Sequence, residues 1–145
     1  MTESHRNISL TAGMRGIKSS LRADSGCDIK NAVEKFVNDG SLDDKDAETL
    51  NHYMYVFNFY EHVAVGVKNK AYDNRILKDN RYTTVTRLWG KTEVFRAAIR
   101  EKNSTAYQEF EWLVQKWEHT PLTPNRVSVT INIPKPLANI INFFK

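Results

Sequence analysis

NHYMYVFNFYEHVAVGVKNK, residues 51–70, is the longest apolar and aromatic stretch of the chain. Its apolar residues recur every three to four positions rather than every second one, so it reads as a buried helix and not as a strand. Leu50, Tyr53, Met54, Phe57, Ala64 and Val65 are expected to face inward, with Glu61 on the same stripe. Gly66 leaves room for another backbone to approach. The start of this helix is also legible. Asp43 is an N-cap candidate and Leu42 before it can staple onto Ala47. Asp44, Asp46 and Glu48 then sit where the helix dipole is positive. The helix is expected to run from Asp43 towards Lys70.

Burying an unpaired carboxylate is costly, so Glu61 must be paired, protonated or beside a wet cavity. The structural expectation is an ion pair with Arg87, Arg96 or Arg100 from the third helix, to which Asn58, one turn earlier, adds a hydrogen bond. A general acid in a pocket and recognition of a ligand are the chemical alternatives.

Working outward, Ile29, Ala32, Val33, Phe36 and Val37 follow the i, i+3, i+4, i+7, i+8 rule, and Gly40 stands where a C-cap is expected. Residues 1–27 are the least determined. Ile8, Met14, Ile17 and Leu21 line one side of a helix that Gly13 and Gly16 weaken, each by about 1 kcal/mol against Ala. Downstream, NKAYDNRILKDN (69–80) reads as a turn with one short helical turn over 74–78. A third helix carries Tyr82, Val85, Leu88, Trp89, Thr92, Phe95 and Ile99 on one face. Thr105 with Gln108 forms a capping-box pattern for a fourth. Its stripe is Ala106, Tyr107, Phe110, Leu113, Val114 and Trp117, with Trp112 pointing the other way.

Pro121 and Pro124 stop that helix. In RVSVTINIP (126–134), Val127, Val129, Ile131 and Ile133 alternate with Ser128, Thr130 and Asn132, which is the pattern of a half-buried strand. LANIINFFK (137–145) follows as an apolar tail with Leu137, Ile140, Ile141, Phe143 and Phe144. The expected fold is therefore mainly α, a bundle of about four helices with a short C-terminal β-strand and apolar tail. We divide the chain into an N-terminal segment 1–27, a helical domain 28–120 and the strand and tail 121–145. A lone strand needs a second edge. A second copy, the N-terminal segment or a target protein are its possible partners, and a homo-oligomer is the expectation.

A chain of 145 residues suits one domain. Cys27 is the only cysteine, which excludes an internal disulfide. His5, His52, His62 and His119 make no metal-ligand spacing, no Gly-rich phosphate loop is present, and no cofactor or metal is expected. No signal peptide is visible, and Asn58, Glu61 and His62 interrupt the apolar run far below a membrane span of about 18 residues. A cytoplasmic protein without a membrane span is the expectation.

Charge is unevenly spread. Residues 28–67 hold three Lys and eight Asp or Glu, a net of −5, whereas residues 68–102 hold ten Lys or Arg and four Asp or Glu, a net of +6. The bland reading is internal pairing and solvated faces. The alternative is a nucleic-acid surface using Lys68, Lys70, Arg75, Lys78, Arg81 and Lys91, interleaved with Tyr72, Tyr82 and Trp89. Against it, Tyr82 and Trp89 fall on the expected core stripe.

FNFYEHVAVGVKNKAYD, RLWGKTEVFRAAIR and YQEFEWLVQKW together resemble a small helical domain of unknown function found in bacterial and phage proteins, often behind an N-terminal membrane anchor. The resemblance covers residues 28–118 and rests on the Asn58–Glu61 step, Ala64 and Gly66, Asp73, Trp89, Arg100 and the Glu-Trp-Leu plus Trp117 ending. It implies no activity. It makes Asn58 and Glu61 look like a signature of the fold, while this chain differs in showing no anchor and in adding the strand and tail.

These readings lead us to expect a non-enzymatic protein-interaction module of bacterial or phage type, with phage–host conflict as one setting. It would bind a protein partner and self-associate through its C-terminal strand. Trp112, the alternating strand and the apolar tail are the expected contact surfaces.

Overall fold

A computed structural model describes residues 8–120. Six helices make up this part: α1 (Leu10–Ser20), α2 (Ile29–Val37), α3 (Asp44–Lys68), α4 (Asn74–Lys91), α5 (Glu93–Arg100) and α6 (Gln108–His119). Among the described residues there is no strand, so the fold is mainly α. The strand and tail read at 126–145 lie outside the described residues.

Helix α3 is the axis of the domain. The Asp43 side chain caps it by accepting the Asp46 N–H at 2.7 Å, and Asp44 and Asp46 fill its acidic first turn. At the other end Lys70 takes a left-handed φ of 59°. The Lys70 N–H then reaches Val67 O at 3.1 Å and the Ala71 N–H reaches Gly66 O at 2.8 Å, which closes the helix in a Schellman motif. The buried stripe is Leu50, Tyr53, Val56, Phe57, Tyr60, Ala64 and Val67. It is rotated from the expected one. Met54 is only half-buried, Val65 is 41% exposed and Glu61 lies at the rim. The rotation brings Val56, Tyr60 and Val67 into the core, and Tyr53, buried as expected, satisfies its hydroxyl on Ser20 Oγ at 2.9 Å. At Gly66 the close approach comes from the ring of Tyr72, not from a backbone.

Helix α1 is better defined than its glycines led us to expect. Ser9 caps it through the Ala12 N–H at 3.1 Å, and it packs along α3. A Cβ on Gly13 would come 2.6 Å from Val56 Cγ2, and one on Gly16 would collide with the His52 ring. The glycines are therefore what lets α1 lie so close. Gly90, on α4, meets nothing within 4 Å. Gly13→Ala is expected to destabilise by about 1 kcal/mol, because overpacking against the fully buried Val56 outweighs the gain in helix propensity. Gly90→Ala is expected to stabilise by about 0.5–1 kcal/mol. Urea unfolding of both variants checks this, and a gain at both positions would contradict the close approach.

Helix α2 begins at Asp28, which caps Asn31 N at 3.1 Å. It ends one residue earlier than Gly40 implied: Asp39 takes the left-handed turn at φ 57° and the Gly40 N–H bonds Lys35 O at 2.6 Å. Ala32 and Val33 are buried as expected, but Phe36 is 47% exposed.

The largest departure lies between 69 and 100. The expected turn over 69–80 and single third helix are instead a long α4 and a short α5. Asp73 is the N-cap, with its Oδ1 accepting from the N–H groups of Arg75 at 2.9 Å and Ile76 at 3.1 Å. Thr92 breaks the run. It is buried, its hydroxyl donates to Leu88 O at 2.7 Å, and its backbone leaves the helical region at φ −110°, ψ 25°. Such back-bonding bends or interrupts a helix.

Helix α6 packs on α3 and α4. Its far end is tied to the start of α4, where Trp117 Nε1 donates to Asn74 Oδ1 at 2.8 Å and Lys78 Nζ donates to Thr120 O. The core where these helices meet is an aromatic cluster about Phe57. Its ring centroid lies 4.9 Å from Phe95, 5.0 Å from Tyr107, 5.3 Å from Phe110 and 6.3 Å from Trp89.

Candidate binding cleft and the Glu61 clamp

Glu61 does not meet an arginine. Its Oε2 accepts the Phe110 N–H at 2.7 Å and its Oε1 the Glu109 N–H at 3.3 Å. These are amide donors of the first turn of α6, groups that have no partner inside their own helix. The residue before α6, Tyr107, has a left-handed φ of 57° and supplies no side-chain cap. Glu61 therefore does from α3 what an N-cap residue does locally, and its charge suits the positive end of the α6 dipole. The Thr105–Gln108 capping box does not form. Both the N–H and the hydroxyl of Thr105 turn back to Asn103 Oδ1, at 3.3 and 3.0 Å. Burial, and then the Glu61 carboxylate, push the Tyr107 hydroxyl up to about 12, so it stays protonated and adds no second negative charge beside Glu61.

Asn58 is exposed and takes no part through its side chain; its carbonyl meets His62 Nδ1 at 2.6 Å. The three arginines go elsewhere. Arg100 Nη2 pairs with Glu111 Oε2 at 2.9 Å and its Nε donates to Ala106 O at 3.0 Å. Arg96 stacks on Trp89, 4.0 Å from the ring centroid, and donates to Trp89 O at 2.9 Å. Burial first, and the neighbouring Arg100 second, lower the Arg96 pKa. Arg87 is exposed and faces a cleft on the other side of α4. The expected ion pair is thus corrected to a carboxylate clamp on backbone amides, a partner that no side-chain pattern displays.

The residues of the basic segment have differing surroundings. Lys78 is only 6% exposed and serves α6. Lys68 pairs with Glu109 at 2.8 Å. Lys70 holds the left-handed end of α3, Arg75 and Arg81 are exposed on α4, and Lys91 faces the same cleft as Arg87. Trp112 is half-buried and lies between Lys68 and Lys116, 5.5 and 5.6 Å from its ring centroid. Val127, Val129, Ile131, Ile133, Leu137, Ile140, Ile141, Phe143 and Phe144 lie outside the described residues.

The cleft is the feature that sequence reasoning missed. Helix α1 packs on α3 while α4 packs on α6, and between α1 and α4 a space of about 520 Å³ remains. Met14, Ile17, Leu21 and Leu88 give it an apolar floor. Arg15, Lys18 and Arg22 stand on the α1 side and Arg87 and Lys91 on the α4 side, with no Asp or Glu in the lining among the described residues. Among the described residues, none of these five cations has an ion pair or a side-chain hydrogen bond. The available signal was the three-and-four spacing of Arg15, Lys18 and Arg22 beside Met14, Ile17 and Leu21. Chemically the cleft suits a ligand that is apolar on one side and anionic on its flanks.

Among the described residues no three His, Cys, Asp or Glu side chains gather as a metal site requires, and no helix is long and apolar enough to cross a membrane. No curated protein and no solved structure matches the chain. The family model described as a domain of unknown function, DUF4760, matches residues 8–117, a span that takes in α1, both sides of the cleft and the Glu61 clamp. The chain belongs to the DUF4760 family.

Proposed function

We propose that this protein is a non-enzymatic interaction module of bacterial or phage type, acting in the cytoplasm, that holds a segment of a partner protein in the α1/α4 cleft. The observation that carries this reading is the cleft itself: an apolar floor at the surface, rimmed by five cations with no partner among the described residues. Exposed single cations contribute little to stability, and five of one sign around one concavity repel each other unless an anionic group joins them. Their placement is thus better explained by a partner than by folding. Self-association through the alternating strand at 126–133 is the second part of the proposal and rests on the sequence pattern.

A photo-reactive amino acid at Thr84, on the cleft, is expected to cross-link one host protein that mass spectrometry identifies. The adduct is expected to vanish in an Arg15→Glu/Arg87→Glu variant and to be absent when the same group is placed at the exposed Gln115. No adduct at Thr84, or the same adducts at both positions, would overturn the reading. For self-association, a chain ending at Asn125 is expected to have a lower mass by light scattering at micromolar concentration, and an unchanged mass removes that part.

A further inference from the structure

We propose that the occupant of the α1/α4 cleft is an acidic amphipathic helix of the partner, lying along the cleft with its apolar side chains on Met14, Ile17, Leu21 and Leu88. This rests on the reading of the protein as an interaction module. The cations form two rails rather than one focus. Arg15 and Lys18 lie about one turn apart on α1 and Arg22 follows just past its C-cap, while Arg87 and Lys91 are one turn, about 6 Å, apart on α4. A small anion needs its donors to converge on one point, and these do not.

A third helix laid between α1 and α4 fits both features of the cleft. Its apolar residues at i, i+3, i+4 and i+7 would anchor in the floor, while Asp or Glu on its flanks would repeat at the spacing of the two rails. Each carboxylate would then stand within a Debye length, about 8 Å, of a cation.

Three other occupants fit less well. Among the described residues the floor is aliphatic and offers no ring on which a nucleic-acid base could stack. A membrane surface is flat, whereas two of the four apolar residues here, Ile17 and Leu88, are buried within the cleft. The chain's own residues 121–145 contain Arg126, Lys135 and Lys145 and no Asp or Glu, which is the wrong charge for these rails.

The test uses the full chain and a fluorescein-labelled peptide with Leu on one helical face and Glu on both flanks, followed by fluorescence anisotropy. Binding in the micromolar range is expected. It should weaken at least tenfold for a peptide of the same composition permuted to remove the amphipathic period. The same loss is expected for Arg15→Glu/Arg87→Glu, whose unfolding midpoint should match the parent because neither side chain has a partner among the described residues. In ¹⁵N spectra of the parent protein the peptide is expected to shift the amides of Met14, Ile17, Leu21 and Leu88 and to leave those of Leu113 and Trp117 in place.

Equal binding of the permuted peptide, or undiminished binding by the variant, would overturn the helix. So would tight binding of single-stranded DNA or phosphatidylserine vesicles in place of the peptide. If the peptide fails while the Thr84 adduct forms, the acidic helix falls and the interaction reading stands. If both fail, the interaction reading falls with it.

Discussion

Phe57→Ala is expected to lower the unfolding free energy by about 4 kcal/mol, the largest effect of any single change considered for this domain. The side chain is fully buried and lies within 5.3 Å, centroid to centroid, of three other rings, from α5, α6 and the residue before α6. Removing it deletes buried apolar area and leaves a cavity walled by rings on several helices, which cannot all close in together. The loss includes edge-to-face contacts worth about 0.5–1.5 kcal/mol each beyond their area. Domains of this size are stable by about 5–15 kcal/mol, so the variant should be marginal. Urea unfolding should show a lower midpoint with the slope kept. Phe57→Leu, which keeps most of the volume, should cost far less. A loss below about 2 kcal/mol for alanine would mean that the cluster repacks around the gap.

Glu61→Ala is expected to destabilise by about 3 kcal/mol, a large effect for a half-buried residue. The side chain contributes two charge-assisted acceptor sites to the Glu109 and Phe110 amides. Without it the first turn of α6 has no side-chain cap, since Tyr107 provides none. The loss of a local cap alone costs about 0.5–2 kcal/mol, and the donor of the fully buried Phe110 adds the penalty of an unmet amide. Glu61→Gln keeps one acceptor oxygen but loses the charge, so roughly half the effect is expected. Differential unfolding of the two variants checks the ranking. If glutamine costs as much as alanine, the neutral acceptor oxygen contributes nothing and the charge carries the effect; if glutamine costs nothing, the charge contributes nothing. If neither costs more than about 0.5 kcal/mol, the clamp is not a stabilising contact.

Helices α2 and α3 were legible because their apolar residues keep one helical period, and α3 also because its start carries a local chemical mark, Asp43. The aromatic core was legible for the same reason: Phe57, Phe95, Phe110 and Trp117 all lie where helical spacing puts them. What escaped depended on contacts between distant parts of the chain. Gly13 and Gly16 read as weak points because propensity is a property of a helix in water, whereas here their missing side chains admit α3. The Thr92 break escaped because a threonine inside an amphipathic pattern gives no sign that its hydroxyl will take the Leu88 carbonyl. Asp73 was a cap that the surrounding polar residues disguised as a loop.

The candidate site was legible only in fragments. Arg87 and Lys91 stood out as basic residues, but their companions Arg15, Lys18 and Arg22 lay in the segment read as least determined. Which helices leave a gap between them is a matter of packing, not of pattern. Glu61 was rightly singled out as a carboxylate needing a partner. The partner was a pair of backbone amides, and amides look the same at every position of a sequence.

The Glu61 clamp has a consequence for the dynamics of α6. A helix with free ends frays, exchanging its terminal amides without disturbing the rest of the protein. Here the start of α6 is held by Glu61 of α3, and its end by Asn74 and Lys78 of α4. Opening either end means breaking a contact with another helix, so there is little scope for α6 to loosen alone. Its local and global openings are expected to lie close in free energy, so the amides of short α6 should exchange about as slowly as those of the long helix at the centre of the fold.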